Sequence, residues 1–372
     1  MVNRERMVNE FIELIGIDSL SLQERKMADV LKAKLENMGY SVYEDDAGKK
    51  AGGNAGNLIC TIKGNNSKAA PIILMAHMDT VVPGLNKKHK IEDDTIKTDG
   101  TTILGGDDAA GIECILEALR VLKEDATSHG DIQVVFTIGE EIGLLGSKYL
   151  DYDRINAKYG FVLDGGGEIG EVAVSAPAQD KIDIIVKGKA AHAGMEPEKG
   201  ISAIQLTASA ISKMKLGRID EETTANIGII SGGQATNIIC DKVTIEAEAR
   251  SRKSDKLRFQ TEHMKECFEY AASEFGGHVE FKSESMYPSY KITDTDPIMQ
   301  ILKEAANDAG LTLKLAPTGG GSDTNIINSK GIQAVDISVG MDKVHSVEEQ
   351  IKIEDMVKAA NFLVSIIKLV KD

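Results

Sequence analysis

The chain has 372 residues, 42% of them hydrophobic, which is enough for a large core and predicts two domains. Its formal net charge of −15 argues against nucleic acid or an anionic membrane surface as the main partner, and favours a small molecule or a peptide. The four cysteines are far apart, and the sequence has no stretch typical of a signal peptide or membrane span, so we expect a soluble, cytoplasmic protein with reduced thiols.

The first part of the chain has the pattern of an α/β domain. Apolar residues recur at helical spacing over residues 3–38, and a further helix is predicted over residues 109–122. The predicted strands cover residues 41–43, 57–62, 72–76, 132–138 and 160–163. Near-continuous apolar strands that alternate with helices are typical of a sheet covered on both faces. Ligands of such a sheet are expected at the carboxyl ends of its strands.

The pattern changes between about residues 178 and 290. The predicted order there is β-α-β-β-α-β, which is that of a ferredoxin-like layer with one solvent-facing side. The α/β pattern then resumes. We therefore expect a discontinuous catalytic domain with a mixed sheet flanked by helices, residues 1–177 and 291–372, and an inserted α+β lid domain, residues 178–290.

Five short motifs combine acidic residues or histidine with a strand end or a helix start. They are His77-Met78-Asp79, Gly106-Asp107-Asp108, Gly139-Glu140-Glu141, Leu163-Asp164-Gly165 and Val344-His345-Ser346. Nitrogen and carboxylate ligands of this kind suit zinc, manganese or cobalt, and a pair of such ions activates water. Residues two apart on a strand face the same way, so Asp79 is expected to accept the second ring N–H of His77.

Each motif alone also has a plainer interpretation. Asp107 and Asp108 suit the positive end of a helix dipole, and Asp164 suits a glycine-rich turn. Taken alone, His77 is equally compatible with a structural histidine, and the pattern at His345 is more often structural than catalytic. The adjacent glutamates 140 and 141 favour function, because two acids after a buried strand must reach solvent or meet a cation. The joint placement of all five motifs predicts a two-metal hydrolytic centre.

At these motifs the chain resembles the dinuclear zinc peptidase family that includes peptidase T, aminoacylases and glutamate carboxypeptidases. The resemblance covers the whole chain and is greatest to peptidase T, notably over residues 98–108 and 161–165. It implies seven roles: His77 and Asp164 would bind one zinc ion, Glu141 and His345 the second, Asp107 would bridge both, Asp79 would orient His77, and Glu140 would be the general base.

The resemblance also implies substrate contacts in the lid domain. His192 matches an oxyanion donor, and Arg250 matches a clamp for a substrate carboxylate, a role that suits a guanidinium group. Asn237 and the backbone at Gly320 and Gly321 are further predicted contacts. A homodimer through the lid domain is expected from the family, and it is left open whether His192 acts in its own or a partner's site.

The function that follows is removal of the N-terminal residue from short peptides such as tripeptides, with a metal-bridged water as nucleophile. Two zinc ions are the expected cofactors, with cobalt or manganese as alternatives. Another amidohydrolase of the same fold, acting on N-acyl or N-carbamoyl amino acids, is the nearest alternative. A non-catalytic metal-binding scaffold is the second. A dinucleotide-binding enzyme is disfavoured, because no Gly-x-Gly-x-x-Gly follows the first strand.

Overall fold

The computed structural model describes residues 1–66 and 68–371, and these form two compact units. The large unit contains residues 1–175, 291–318 and the chain from 322 onward. The inserted unit contains residues 176–290 together with Gly319–Gly321, a short glycine segment that lies far from the rest of its unit in sequence. The boundary at residues 175–176 and the assignment of the glycine segment differ from the ranges given above.

The large unit begins with helices and strands in alternation. They are α1 (Arg4–Ile15), α2 (Arg25–Asn37), β1 (Val42–Glu44), α3 (Ala47–Ala51), β2 (Leu58–Ile62), β3 (Ile72–His77), β4 (His89–Glu92), β5 (Thr95–Thr98), α4 (Gly106–Glu124), β6 (Ile132–Thr137), α5 (Leu145–Tyr149), β7 (Tyr159–Gly166) and β8 (Glu171–Ala176). The inserted unit follows with β9 (Ala178–Lys187), α6 (Ala203–Lys213), β10 (Gly217–Arg218), β11 (Thr223–Gly232), β12 (Lys242–Ser251), α7 (Ser254–Phe275) and β13 (His278–Tyr287). The remaining elements are β14 (Tyr290–Lys291), α8 (Pro297–Asp308), β15 (Lys314–Pro317), α9 (Asp323–Ser329), β16 (Gln333–Asp342), β17 (Gln350–Lys352) and α10 (Ile353–Leu369).

The large unit is built on a mixed sheet with the strand order β1-β2-β6-β3-β7-β16-β17-β5-β4. Its four central strands, β6, β3, β7 and β16, are parallel neighbours. Every residue of β3 and β6 is buried. Since alternate residues of a strand face opposite sides, this burial indicates that both faces of the sheet are covered.

Helices cover the central strands. Ile73 and Met75 of β3 share a buried cluster with Ile327 of α9, while α4 contacts β3, β7 and β16. The predicted α/β class with a mixed sheet flanked by helices is therefore confirmed. The β4–β5 hairpin was not predicted, because its residues alternate without an apolar run and β4 is exposed throughout.

The inserted unit is a separate antiparallel sheet with the order β10-β11-β12-β9-β13. Without the two-residue β10, this is the strand order of a ferredoxin-like layer, as predicted. Ile182, Ile184 and Val186 of β9 are buried in a common core with Leu206 of α6 and Met264 of α7. Within the described chain, no helix is both long enough and apolar enough to cross a membrane.

Candidate metal centre and substrate-binding residues

Four parallel strands end at the same edge of the large sheet, and each brings a predicted residue there. His77 is the last residue of β3, and Asp164 lies near the end of β7. Glu140 and Glu141 follow β6, and His345 follows β16. Asp107 reaches this edge from the start of α4. His345 has a φ of +61°, an uncommon value for a non-glycine residue that indicates a constrained turn.

The carboxylate of Asp107 lies between the two histidines. Its Oδ1 is 2.9 Å from Nε2 of His77, and its Oδ2 is 3.1 Å from Nε2 of His345. The same Nε2 of His345 is 2.8 Å from Oε1 of Glu141, and Nε2 of His77 is 3.5 Å from Oδ1 of Asp164. The five side chains therefore form two groups that share Asp107.

This donor set fits two divalent ions. In each group, one of His77–Asp107–Asp164 and the other of Asp107–Glu141–His345, the candidate ligand atoms lie within 4.8 Å of one another. Imidazole nitrogen and carboxylate oxygen are ligands that zinc accepts. A carboxylate that offers one oxygen to each group is the geometry expected of a bridging ligand.

The electrostatics of the site indicate uncompensated negative charge. Burial and then the Asp107 carboxylate raise the pKa of Asp164 well above its usual range. Burial likewise raises the pKa of Glu141, although the hydrogen bond with His345 opposes this. The carboxylates of Asp107 and Glu141 raise the pKa of His345 to about 10. A cluster of desolvated carboxylates around two imidazoles is the environment that bound cations would stabilise.

Asp79 faces Nδ1 of His77 with two of its oxygens. Nδ1 of His77 is 2.9 Å from the backbone oxygen of Asp79 and 3.5 Å from its carboxylate Oδ1. The fully buried Asp79 carboxylate also accepts the backbone N–H groups of Glu140 and Glu141, at 2.9 and 3.2 Å. The backbone carbonyl thus makes the shorter contact with the imidazole, and the carboxylate also holds the turn that carries the two glutamates.

The adjacent aspartates at the start of α4 have different contacts. Both have non-helical backbone angles, so regular helix begins after Asp108, close to the predicted start at residue 109. The carboxylate of Asp108 accepts the backbone N–H groups of His77 and Gly111, at 3.2 and 3.0 Å. Asp108 therefore stabilises the helix start, while Asp107 contacts the histidines.

Three buried carboxylates near the site were not identified from the sequence. Glu349 accepts the backbone N–H groups at Leu104, Gly105 and Asp107. Asp336 accepts the backbone N–H of Asp164 at 3.2 Å, and Glu24 accepts that of Gly139 at 3.0 Å. Glu24 and Glu349 lie in loops and carry no comparable signal in the sequence, whereas Asp336 interrupts the apolar strand β16.

In the inserted unit, His192 and Asn237 lie on neighbouring segments. The backbone oxygen of Asn237 accepts the N–H of Ala193, and His192 forms an isolated antiparallel β-bridge with Ile238. Nδ1 of His192 accepts the backbone N–H groups of Gly194 and Met195, at 3.2 and 3.1 Å. Since Nδ1 is an acceptor, the neutral ring carries its proton on Nε2. The His192 side chain is exposed.

Arg250 is held by an acidic neighbour. Its Nε and Nη2 donate to the two carboxylate oxygens of Glu248, at 3.0 and 2.9 Å, and Gln179 donates to the same carboxylate. Gln179 pairs across the sheet with both Arg250 and Tyr287. A Cβ at Gly321 would lie 2.3 Å from a ring carbon of Tyr287, so a larger residue there would require the Tyr287 ring to move. The structure thus places the predicted Gly320–Gly321 segment beside β13, which β9 separates from the strand of Arg250.

Two solved structures are similar over nearly the whole chain. Aminopeptidase PepT of Bacillus cereus is 48% identical with a TM-score of 0.91, covering 99% of each chain. A tripeptidase of Staphylococcus aureus is 43% identical with a TM-score of 0.95, covering 100% of this chain and 99% of that one.

The sequence comparisons agree with the structural ones. An uncharacterized protein of Bacillus subtilis, YqjE, is 49% identical over 368 residues, 99% of each chain. The sequence model of Peptidase family M20/M25/M40 matches residues 73–369, which include the five candidate ligands. The chain therefore belongs to Peptidase family M20/M25/M40.

Proposed function

We propose that this chain is a metal-dependent aminopeptidase that removes the N-terminal residue from short peptides, with tripeptides as the preferred class. The observation that carries the proposal is the Asp107 carboxylate, which divides its two oxygens between His77 and His345. The similar proteins of Bacillus cereus and Staphylococcus aureus, described as an aminopeptidase and a tripeptidase, support the peptide substrate.

We propose zinc as the ion in both positions, with cobalt or manganese as ions that suit the same donors. His77 and Asp164 would hold one ion, Glu141 and His345 the other, and Asp107 both. When bound, such a pair of ions supplies a water of lowered pKa and polarises the scissile carbonyl.

Glu140 is the proposed general base. Its neighbour Glu141 is engaged with His345, whereas the buried Glu140 is outside both ligand groups and so available for proton transfer. Its carboxylate takes a proton from the attacking water and delivers it to the leaving nitrogen as the C–N bond breaks. Burial and then the charge of Asp164 raise the pKa of Glu140 well above its usual range.

The substrate contacts are proposed from the family resemblance together with the geometry inside the inserted unit. His192 would donate its Nε2–H to the carbonyl oxygen as negative charge develops there. Arg250 would bind the substrate carboxylate through the guanidinium edge that Glu248 leaves open, since Glu248 takes Nε and Nη2. Asn237 and the backbone of Gly320 and Gly321 are proposed as additional contacts.

We also propose a homodimer formed through the inserted unit. The edge strand β11 is paired with β10 only near its start, at residues 224 and 225. Further along this edge Ile229 and Ile230 are each 55% exposed, and a cavity of about 540 Å³ lies between Ile230 and α6. An open edge beside apolar side chains suits antiparallel pairing with a second copy. The four cysteines are buried thiols, which supports a cytoplasmic location.

The role of Glu140 is tested by the Glu140→Ala variant of the zinc-loaded protein. We expect two bound ions per chain, as in the unaltered protein, and a loss of about 10²- to 10⁴-fold in kcat for a tripeptide, the range typical of a general base. Glu354→Ala, at an exposed position, is the control and should keep full activity. A Glu140→Ala variant that kept most of its rate would exclude the assigned role.

A further inference from the structure

Three consecutive backbone amides of the turn after β6 donate to two buried carboxylates. The N–H of Gly139 donates to Oε1 of Glu24 at 3.0 Å. The next two, of Glu140 and Glu141, donate to Oδ1 and Oδ2 of Asp79 at 2.9 and 3.2 Å. The turn that carries the proposed general base is thus fixed through its backbone by two acids from other parts of the chain.

Glu24 has no comparable role in its own helix. It is the residue before α2, yet its side chain makes no capping hydrogen bond to that helix. Oε1 accepts the N–H groups of Leu22 and Gly139, while Oε2 has no hydrogen-bond partner among the residues described. The residue is fully buried. A carboxylate in this position costs desolvation free energy, and its one long-range hydrogen bond goes to the catalytic turn.

The loop around Glu24 contacts the same turn through other atoms. Ser21 Oγ donates to Oδ2 of Asp79 at 2.6 Å, so the loop also fixes the second carboxylate. Gly139 has a φ of +54°, and a Cβ on it would lie 3.6 Å from the side chain of Leu22. The turn therefore adopts a left-handed conformation directly against residues 21–24, and hydrogen bonds from its amides stabilise that conformation.

We propose that Glu24 is a positioning residue for catalysis, which fixes the backbone of Glu140 by accepting the N–H of Gly139. Glu24 is outside both candidate ligand groups, so it would contact neither ion directly. The catalytic consequence rests on the proposed function, in which Glu140 transfers the proton. A base displaced by a fraction of an ångström loses alignment with the water, and misplacement by about 1 Å costs about a hundredfold in rate.

The test uses three substitutions of Glu24 in the full-length, zinc-loaded protein. Glu24→Ala removes the acceptor. Glu24→Gln keeps an oxygen at the position of Oε1, which makes both hydrogen bonds, but removes the charge. Glu24→Asp keeps the charge on a side chain one methylene shorter. The control is Glu113→Ala, because Glu113 is also fully buried but, unlike Glu24, accepts no backbone N–H in the described chain.

Two measurements separate positioning from general damage. The first is hydrogen exchange of residues 132–145, followed by mass spectrometry in metal-free protein. We expect Glu24→Ala and Glu24→Asp to speed exchange in this segment about tenfold or more, and Glu24→Gln and Glu113→Ala to leave it near the wild-type rate. The second is tripeptide kinetics with the metal content determined. We expect kcat to fall about 10- to 100-fold in Glu24→Ala with KM within about twofold and two ions bound, and Glu24→Gln to stay within about threefold of wild type.

Different results would refute the role of Glu24 and the peptidase function. The proposal is overturned if kcat falls as much in Glu24→Gln as in Glu24→Ala, or if kcat is higher in Glu24→Asp than in Glu24→Gln. Either result would mean that the charge of Glu24 matters and its hydrogen bond does not. Unchanged exchange in residues 132–145 would also overturn it. If Glu24→Ala does not fold, the Gln and Asp variants carry the same comparison. Inactivity of the unaltered protein towards every peptide would refute the peptidase function, while the exchange data would still test the hydrogen bond from Gly139.

Discussion

Replacing Glu349 should destabilise the large unit more than replacing its neighbour Glu348. Glu349 is 1% exposed, and its carboxylate accepts the N–H of Leu104 at 2.7 Å, of Gly105 at 3.0 Å and of Asp107 at 3.1 Å. These groups form the backbone that presents Asp107 to both histidines. Glu348 is 70% exposed and pairs with Lys343 on the surface.

The expected magnitude follows from the donors left without an acceptor. One buried N–H without a partner costs about 1–3 kcal/mol, so three would cost up to about 9 kcal/mol before any relaxation. Backbone shifts and entering water reduce this, and Glu349→Ala should lower the free energy of unfolding by about 3–5 kcal/mol. Glu349→Gln can keep the two bonds made by Oε2 but sets its NH₂ group against the N–H of Asp107, which should cost about 1–3 kcal/mol. Glu348→Gln should cost no more than about 0.5 kcal/mol.

The assay is urea unfolding in the presence of a chelator, so that bound metal does not contribute to the measured stability. Zinc affinity, measured separately, should also fall in both Glu349 variants, because the backbone of the bridging Asp107 is less well held. The reasoning is refuted if Glu349→Ala lies within about 1 kcal/mol of the unaltered protein, or if Glu348→Gln costs as much as Glu349→Gln.

Two further predictions concern metal content and pH. The His345→Ala variant should lose one of two zinc ions, while Asp107→Ala should weaken the binding of both. Elemental analysis after gel filtration measures the zinc content. Two retained ions in both variants would contradict the role of Asp107 as a shared ligand. Burial would raise the pKa of Glu10, but hydrogen bonds from partners such as Arg120 and Lys34 lower it from its ordinary 4.5 to about 2. Glu10→Gln should therefore cost about 2 kcal/mol at pH 7, a value reduced because the two cations are partly solvated. Because a lowered pKa stabilises the fold only above the unfolded value, this gap should close as the pH falls from about 4.5 to about 2, and a gap constant in urea unfolding from pH 7 to 3 would contradict it.

Most of the candidate ligands could be predicted from the sequence because a histidine or an acid follows a run of apolar residues. Central parallel strands are apolar on both faces, so a histidine or an acid at their ends, as at His77 and Glu140, stands out from a buried run. The parallel strands end at one edge of the sheet, which explains how residues as distant in sequence as Glu141 and His345 meet. The order of the strands was not needed for this inference.

The supporting carboxylates could not be found in the same way. Glu24 and Glu349 lie in polar loops, and their acceptor roles arise from contacts with residues more than a hundred positions away. The sequence does not distinguish Glu348 from Glu349, since the two differ only in which way a turn directs them. Likewise, the pairing of Arg250 with Glu248 depends on rotamers of two residues that share a face of β12.

The most direct test of the central claim is release of free amino acids from a matched panel of one dipeptide, one tripeptide and one N-acyl amino acid. The protein is loaded with zinc and measured with and without chelator. We expect the tripeptide to release its N-terminal residue, the release to stop with chelator, and the N-acyl amino acid to remain intact. Activity confined to the acylated amino acid, or none in protein that holds two ions per chain, would contradict the peptidase function.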